Sequence, residues 1–205
     1  MKISKRAIAS ALVLSMVVPM AGCKKEKKVS FEAIKAKDVI NALEDMDCEE
    51  TGWGGYWGDP FEYYDTNEDH SCFDANSYNY DRVIAGRLED NTLVVYYEFD
   101  DEDDAYDYFT EVIYEEFEDL NDDDGFDGDV LLKESEGFGY VLINAETDDV
   151  ELIVGDTSYN NDYDFEGYCG GVYYVDNMVL IVMNYDDCDV DEVTEFLDLL
   201  EYPFI

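Results

Sequence analysis

The sequence predicts an α+β fold in which one antiparallel sheet has its helices packed on one face. Two features carry this prediction. Two pairs of apolar segments are each joined by an Asp-Asn dipeptide, Asp90-Asn91 and Asp176-Asn177, which is typical of tight hairpin turns. Each pair is followed by a segment whose apolar residues recur with the period of an amphipathic helix. Hairpins that each lead into a helix indicate a sheet covered by helices.

The composition indicates one folded domain with an acidic surface. Hydrophobic residues make up 47% of the 205 residues and aromatic residues 15%, which is enough to build a core. Two of the 53 acidic residues and nine of the 12 basic residues precede position 38. Residues 38–205 therefore carry 53 − 2 = 51 acids and 12 − 9 = 3 bases, a formal charge of 3 − 51 = −48. This charge excludes nucleic acid as a partner, because nucleic-acid binding requires a basic surface.

The first half of the domain is predicted to contain a short helix, a long loop, a hairpin and a long helix. The short helix follows Asp38 and has one apolar face, formed by Val39, Ile40, Leu43 and Met46. Residues 48–78 are rich in glycine and aromatic residues and lack any period, which predicts a long loop with at most one poor strand. Segments 83–88 and 93–99 form the first hairpin. The helix over 103–119 starts in an acidic run and carries a continuous apolar stripe.

The second half is predicted to contain five strands and a final helix. The strands are expected at 130–133, 139–144, 150–154, 168–175 and 178–185. The last of these is apolar on both faces and is therefore placed centrally in the sheet. Asp189 and Glu192 have the spacing of a capping box at the start of the final helix.

The two hairpins also suggest an internal repeat. A shift of 176 − 90 = 86 residues aligns both Asp-Asn dipeptides and places Leu93 on Val179. This alignment predicts a strand–turn–strand–helix unit that is used twice. Chance similarity between two such units is the alternative.

Residues 1–22 have the parts of a secretory signal. A cationic start is followed by an apolar run that is too short to span a bilayer, and the small residues Ala21 and Gly22 precede Cys23. This arrangement resembles the lipobox of bacterial lipoproteins. The resemblance implies that Cys23 is lipidated on sulfur and becomes the new N-terminus, which anchors the protein outside the cytoplasmic membrane. Residues 23–35 would then form the lipidated cysteine and a basic tether, followed by a single acidic domain over 36–205.

The other cysteines suggest disulfide bonds. An even set in an exported protein predicts two disulfides among Cys48, Cys72, Cys169 and Cys188. A Cys48–Cys72 bond would close the aromatic loop. That pairing leaves a Cys169–Cys188 bond. Four free buried thiols are the alternative.

A calcium site is the one cofactor site that the sequence suggests. Asp123, Asp127 and Glu134 resemble the ligands of an EF-hand loop, with Gly125 where a further ligand would be expected. A solvated turn between helix and strand is the alternative. Independently of this motif, a charge of −48 would attract divalent cations.

The aromatic loop is the candidate binding surface for an extracellular glycan or a protein. Its rings could instead fold inward as core. The candidate residues are Trp53, Tyr56, Trp57, Tyr63 and Tyr64.

The sequence does not indicate an enzyme. His70 is the only histidine, its neighbours show no nucleophile elbow, and it is expected to be an exposed loop residue. We therefore expect a cell-surface lipoprotein that acts as a binding or interaction module. A calcium-binding or calcium-stabilised module is the alternative, followed by a glycan-binding protein or a small hydrolase. The expected partners are the membrane through the lipid anchor, a glycan, a cationic protein or a divalent cation.

Overall fold

The computed structural model describes residues 31–51, 60–67, 78–89, 92–121, 127–146, 168–185 and 188–204. The strands in these ranges are β1 (Glu49–Glu50), β2 (Glu62–Thr66), β3 (Tyr80–Arg87), β4 (Thr92–Phe99), β5 (Asp127–Lys133), β6 (Phe138–Glu146), β7 (Tyr168–Val175) and β8 (Met178–Tyr185). The helical segments are α1 (Ala36–Asp45), α2 (Glu102–Asp107), π1 (Tyr108–Tyr114), α3 (Glu115–Asn121) and α4 (Val190–Leu199).

The eight described strands form one sheet in the order β1-β2-β3-β4-β8-β7-β6-β5. The short strand β1 is parallel to β2, and every other neighbouring pair is antiparallel. The α+β prediction is therefore confirmed. The central position predicted for β8 is also confirmed, because β8 lies between β4 and β7.

Helices cover both faces of this sheet. Alternate residues of β4 enter different cores: Val94 and Tyr96 pack with α1 and α4, whereas Val95 and Tyr97 pack with the helix over 102–121. The prediction that all helices lie on one face is wrong. The physical reason lies in β7 and β8, whose central positions are apolar on both sides and require a cover on each.

Both predicted hairpins are present, and their second strands meet at the centre of the sheet. The β4–β8 register runs from Thr92↔Asn184 to Glu98↔Met178. The helices that follow the two hairpins lie on opposite faces. A strand–turn–strand–helix order thus occurs twice along the chain, but its origin as a repeat stays a prediction.

The long helix predicted over 103–119 is continuous from Glu102 to Asn121 and contains the π-helical segment π1. We call α2, π1 and α3 together the central helix. The Asp101 carboxylate caps its start by accepting from the Asp104 N–H at 2.9 Å. Phe109 packs against Gly139 of β6, where a Cβ would come within 2.5 Å of the ring. The missing side chain at Gly139 thus sets the close approach of the central helix to the sheet.

The domain begins before the position predicted from the sequence. Phe31 is buried, with its ring 4.6 Å from that of Phe138 and 4.9 Å from that of Tyr202. The Tyr202 hydroxyl donates to the Glu32 carbonyl at 2.7 Å. Residues 31–35, assigned above to the tether, therefore pack on the domain. A single aromatic anchor has no periodicity by which the sequence could have shown it.

Candidate functional site

A row of polar residues crosses four neighbouring strands at the end of the sheet where α4 begins. The register pairs Asn144 of β6 with Cys169 of β7, Cys169 with Asn184 of β8, and Asn184 with Thr92 of β4. Residues directly opposite one another in antiparallel strands share a face. The four side chains therefore line the face that α4 covers, and we call them the polar row. Thr92 and Asn184 are fully buried.

The start of α4 is hydrogen-bonded to this row. The Cys188 thiol donates to Asn144 Oδ1 over 3.6 Å, and the Asp189 N–H donates to Asn184 Oδ1 over 3.2 Å. The Glu192 carboxylate accepts from the Thr92 hydroxyl and, at 2.8 Å, from the Glu89 N–H. These contacts fix where α4 enters the fold.

The α4 cap confirms part of the sequence prediction. The Asp189 carboxylate accepts from the N–H groups of Asp191 and Glu192, each at 3.0 Å. Glu192 instead uses its side chain to bind Thr92 and Glu89. Asp189 is thus the capping residue, and Glu192 ties the helix to the β3–β4 hairpin.

Two thiols meet at the polar row. The buried Cys169 thiol is in hydrogen-bond contact with the thiol of the half-buried Cys188. Burial, then this contact and the charge of Asp189, raise the pKa of Cys169. Hydrogen bonding and charge at this position favour the neutral thiol over the thiolate.

The third described cysteine lies elsewhere. The Cys48 thiol is buried and donates to the Arg87 carbonyl at 3.8 Å. Burial, then the charges of Glu192 and Asp47, raise its pKa to about 11. All three described cysteines carry free thiols, and Cys72 lies outside the described residues. The two disulfide pairings stay predictions.

A shallow, open pocket of ≈ 350 Å³ lies on the other half of the sheet. It is lined by Asp65, Asn67, Asp81, Arg82 and Glu98. Arg82 donates through Nε to Asp65 Oδ1 at 2.7 Å and through Nη2 to Asp65 Oδ2 at 2.5 Å. This two-point contact raises the pKa of Arg82 further. Because the guanidinium is already bound, the pocket presents carboxylates to a ligand.

The central helix carries a second acidic surface. Asp103, Asp107, Glu111 and Glu115 are exposed and follow one another at intervals of four residues, and we call them the acidic ladder. No basic residue occurs anywhere in 102–121. The Tyr78 hydroxyl donates to Glu111 at 2.6 Å, which holds one carboxylate of the ladder in place.

The predicted calcium ligands are not brought together. Asp127 is the first residue of β5, and Glu134 follows its last residue, Lys133. At about 3.3 Å per residue, the extended strand separates them by about 23 Å, too far to share one ion. Glu134 instead accepts from the Tyr106 hydroxyl. The pairing of Asp127 with Glu134 in one site is therefore wrong, and Asp123 lies outside the described residues.

No group of three or more His, Cys, Asp or Glu side chains in the described ranges is arranged to hold a metal ion. The residues after Gly128 pair with β6 as a strand instead of closing a loop.

The predicted aromatic surface is only partly described. Tyr63 has 2% of its surface exposed and lies in the core, with its hydroxyl directed at Glu44. Its assignment to an exposed surface is wrong, and the core alternative holds for this ring. Tyr64 is half-buried. The remaining candidates Trp53, Tyr56 and Trp57, like His70, lie outside the described residues.

No protein-family model, curated protein or solved structure matches this chain. Within the ranges that the structure covers, no helix is long and apolar enough to cross a membrane. The site must therefore be interpreted from its own chemistry.

Proposed function

We propose that the chain is a lipoprotein anchored through Cys23 outside the cytoplasmic membrane, and that its domain is a non-enzymatic module that binds a cationic protein segment. The anchor is supported by the lipobox resemblance of the first 23 residues. The class of ligand is supported by the charge of the domain and by the acidic ladder.

The acidic ladder is the observation that carries the proposal. Carboxylates four residues apart on a helix repel one another, at a cost of about 0.2–0.5 kcal/mol per pair. The ladder contains three such pairs in succession, from Asp103 to Glu115. No basic residue of the central helix relieves this repulsion. A partner that places lysine or arginine side chains along the ladder would do so.

The location of the ladder suits a protein partner. The ladder lies on the solvent side of a helix whose other side is packed on the sheet by Phe109, Ile113 and Phe117. A rigid row of charges on a buried scaffold loses little conformational freedom on binding. Association through such a row is steered by charge and weakens as salt is added.

The test is binding of an oligolysine peptide, measured by calorimetry at several salt concentrations. One variant neutralises the ladder through Asp103→Asn, Asp107→Asn and Glu115→Gln. We expect this variant to lose most of the affinity. Glu111 is left unchanged because Tyr78 binds it.

A matched control removes the same charge from the opposite face. Asp45→Asn, Glu195→Gln and Asp198→Asn alter exposed residues of α1 and α4. If both triple variants weaken binding equally, the attraction is diffuse and the ladder is not a site. If neither weakens it, the proposed class of ligand is wrong.

A divalent cation is the second candidate ligand. The specific observation is that Asp81 lines the charged pocket and lies close enough to Asp100 for its charge to act on that carboxyl. Desolvation, then the charge and hydrogen bond of Asp81, raise the pKa of Asp100. A saturable rise in melting temperature with calcium, absent with magnesium and with sodium at matched ionic strength, would support this candidate. An equal response to all three salts would contradict it.

A further inference from the structure

We propose that Cys169 and Cys188 are a dithiol site that exchanges with an external disulfide to form an intrachain disulfide, which fastens the start of α4 to β7. This inference concerns the other face of the sheet from the acidic ladder and does not depend on the proposed binding function.

Geometry supports the pairing through both neighbours of Cys169. The residue opposite it on β6, Asn144, accepts from the Cys188 thiol at 3.6 Å. The residue opposite it on β8, Asn184, accepts from the N–H of Asp189 at 3.2 Å. Two separate hydrogen bonds thus hold the segment containing Cys188 beside Cys169, and the nearby Cys188 thiol contributes to the raised pKa of Cys169.

The backbone of Cys188 is held in an unusual conformation. Its φ is 52°, in the left-handed region that residues other than glycine seldom adopt. The two flanking hydrogen bonds and the Asp189 cap stabilise this conformation locally. The fold thus fixes the position of Cys188 at the start of α4, next to the polar row that contains Cys169.

The two thiols differ in access, and this difference assigns their roles. Cys188 is half-buried, whereas Cys169 has no exposed surface. An external disulfide can reach Cys188 only. Cys188 is therefore the attacking thiol and Cys169 the resolving thiol.

The exchange is balanced in two steps. The Cys188 thiol loses its proton to water, attacks one sulfur of the external disulfide and releases the first thiolate, which leaves a mixed disulfide on Cys188. The Cys169 thiol then loses its proton, attacks Cys188 Sγ and releases the second thiolate. Two protein thiols are oxidised to one disulfide, and the external disulfide is reduced to two thiols.

The surroundings of Cys169 favour a disulfide that persists over one that is readily reduced. A thiol that is reluctant to ionise is a poor leaving group, so a disulfide that contains it resists reduction. Burial and the adjacent Asp189 make Cys169 such a thiol. The site is thus suited to a lasting bond between α4 and the sheet.

The test uses the full chain, purified in detergent without added thiols and treated with oxidised glutathione. Remaining thiols are then alkylated, and the denatured chain is cut after glutamate. The fragment 167–192 contains Cys169 and Cys188, no other cysteine and no internal glutamate. We expect this fragment to be two hydrogens lighter than its reduced form and to carry no alkyl group.

Other masses of this fragment would overturn the proposal. Such a mass would correspond to alkylation of both cysteines, to a glutathione adduct that persists on Cys188, or to a disulfide bond with a fragment that contains another cysteine. Cys48→Ser is the matched control and should leave the result unchanged.

Thermal unfolding provides a second readout. We expect oxidation to raise the melting temperature by about 5–10 °C, because the bond closes a short loop of the unfolded chain. This rise should be absent in Cys188→Ala, which removes the accessible thiol and keeps the buried one. An equal rise in Cys188→Ala would contradict the assignment.

Discussion

At the scale of single residues, Thr92 and Asn184 are the two polar side chains that the described part of the chain buries completely. Asn184 Nδ2 donates to Thr92 Oγ1 at 2.9 Å, and its Oδ1 accepts from Asp189. A buried polar group without partners is costly, so this pair is stable in one arrangement of β4, β8 and α4. The polar row therefore contributes more to fixing the position of α4 than to the net free energy of unfolding.

Replacing Asn184 should be strongly destabilising. Asn184→Leu removes the donor to the buried Thr92 hydroxyl oxygen and the acceptor of the half-buried Asp189 N–H. We expect the free energy of unfolding to fall by about 2–3 kcal/mol. Urea unfolding followed by circular dichroism measures this change.

Asn144→Leu is the matched control for that experiment, because it makes the same chemical change in the same row at an exposed position. We expect a cost of less than about 1 kcal/mol, since water replaces the lost bond to Cys188. Equal costs at both positions would show that burial of the polar row does not matter.

The polar row could not be predicted from the sequence. Thr92, Asn144 and Asn184 are polar residues at the ends of apolar strands, and this is the one signal that they give. They become a row only through the strand order, which brings β4 next to β8 and β7 next to β6. Local patterns predict strands but do not predict which strands become neighbours across 92 residues of chain.

At the scale of whole elements, the acidic residues at the C-terminal end of the central helix interact unfavourably with the helix dipole. Its first turn carries Glu102, Asp103 and Asp104, which interact favourably with the positive pole. Its last segment carries Glu115, Glu116 and Glu118, with no basic residue in the final turn. Packing of the apolar stripe must therefore stabilise the C-terminal half of this helix.

Reversing one charge at each end of the central helix should separate the effect of the helix dipole on stability from the effect of general charge repulsion. Glu118→Lys at the C-terminal end should raise the free energy of unfolding by about 0.5–1 kcal/mol. Glu102→Lys makes the same change in net charge at the N-terminal end and should lower it or leave it unchanged. Thermal unfolding of both variants at low salt provides the comparison. An equal gain from both would mean that net charge, and not the dipole, sets helix stability.

Elements were more predictable than their arrangement. The two hairpins, the central helix and α4 followed from local periodicity, which is a property of each segment alone. The face that each helix covers did not follow, because β8 is apolar on both sides and allows either. The separation of Asp127 from Glu134 has a related cause. The calcium motif specifies residue types at fixed spacing, but it does not specify whether the backbone between them is extended, as it is in β5.

At the scale of the whole molecule, the protein combines an aromatic interior with an acidic exterior. Tyrosines lie where the two meet: Tyr63 is buried and directed at Glu44, Tyr78 binds Glu111, and Tyr106 binds Glu134. Burial and the Glu44 charge raise the pKa of Tyr63 to about 12. Hydrogen bonds to the carboxylates, followed by desolvation, raise the pKa values of Tyr78 and Tyr106 to about 12.

These shifts predict how the domain unfolds in alkali. An unfolded tyrosine loses its proton near its ordinary pKa of 10.0, whereas these folded tyrosines keep theirs to about 12. Between these values the folded state binds more protons than the unfolded state, so stability is complete below pH 10 and falls as the pH rises towards 12. Ionisation and unfolding should therefore occur together. Tyrosinate absorbance and far-ultraviolet circular dichroism, recorded on one pH titration, should change in a single transition above pH 10. Gradual ionisation centred at pH 10 with an unchanged dichroism spectrum would contradict this prediction. It would show that the folded state does not raise the pKa values of these tyrosines through their carboxylate partners, and that the acidic surface does not affect the ionisation of the aromatic core.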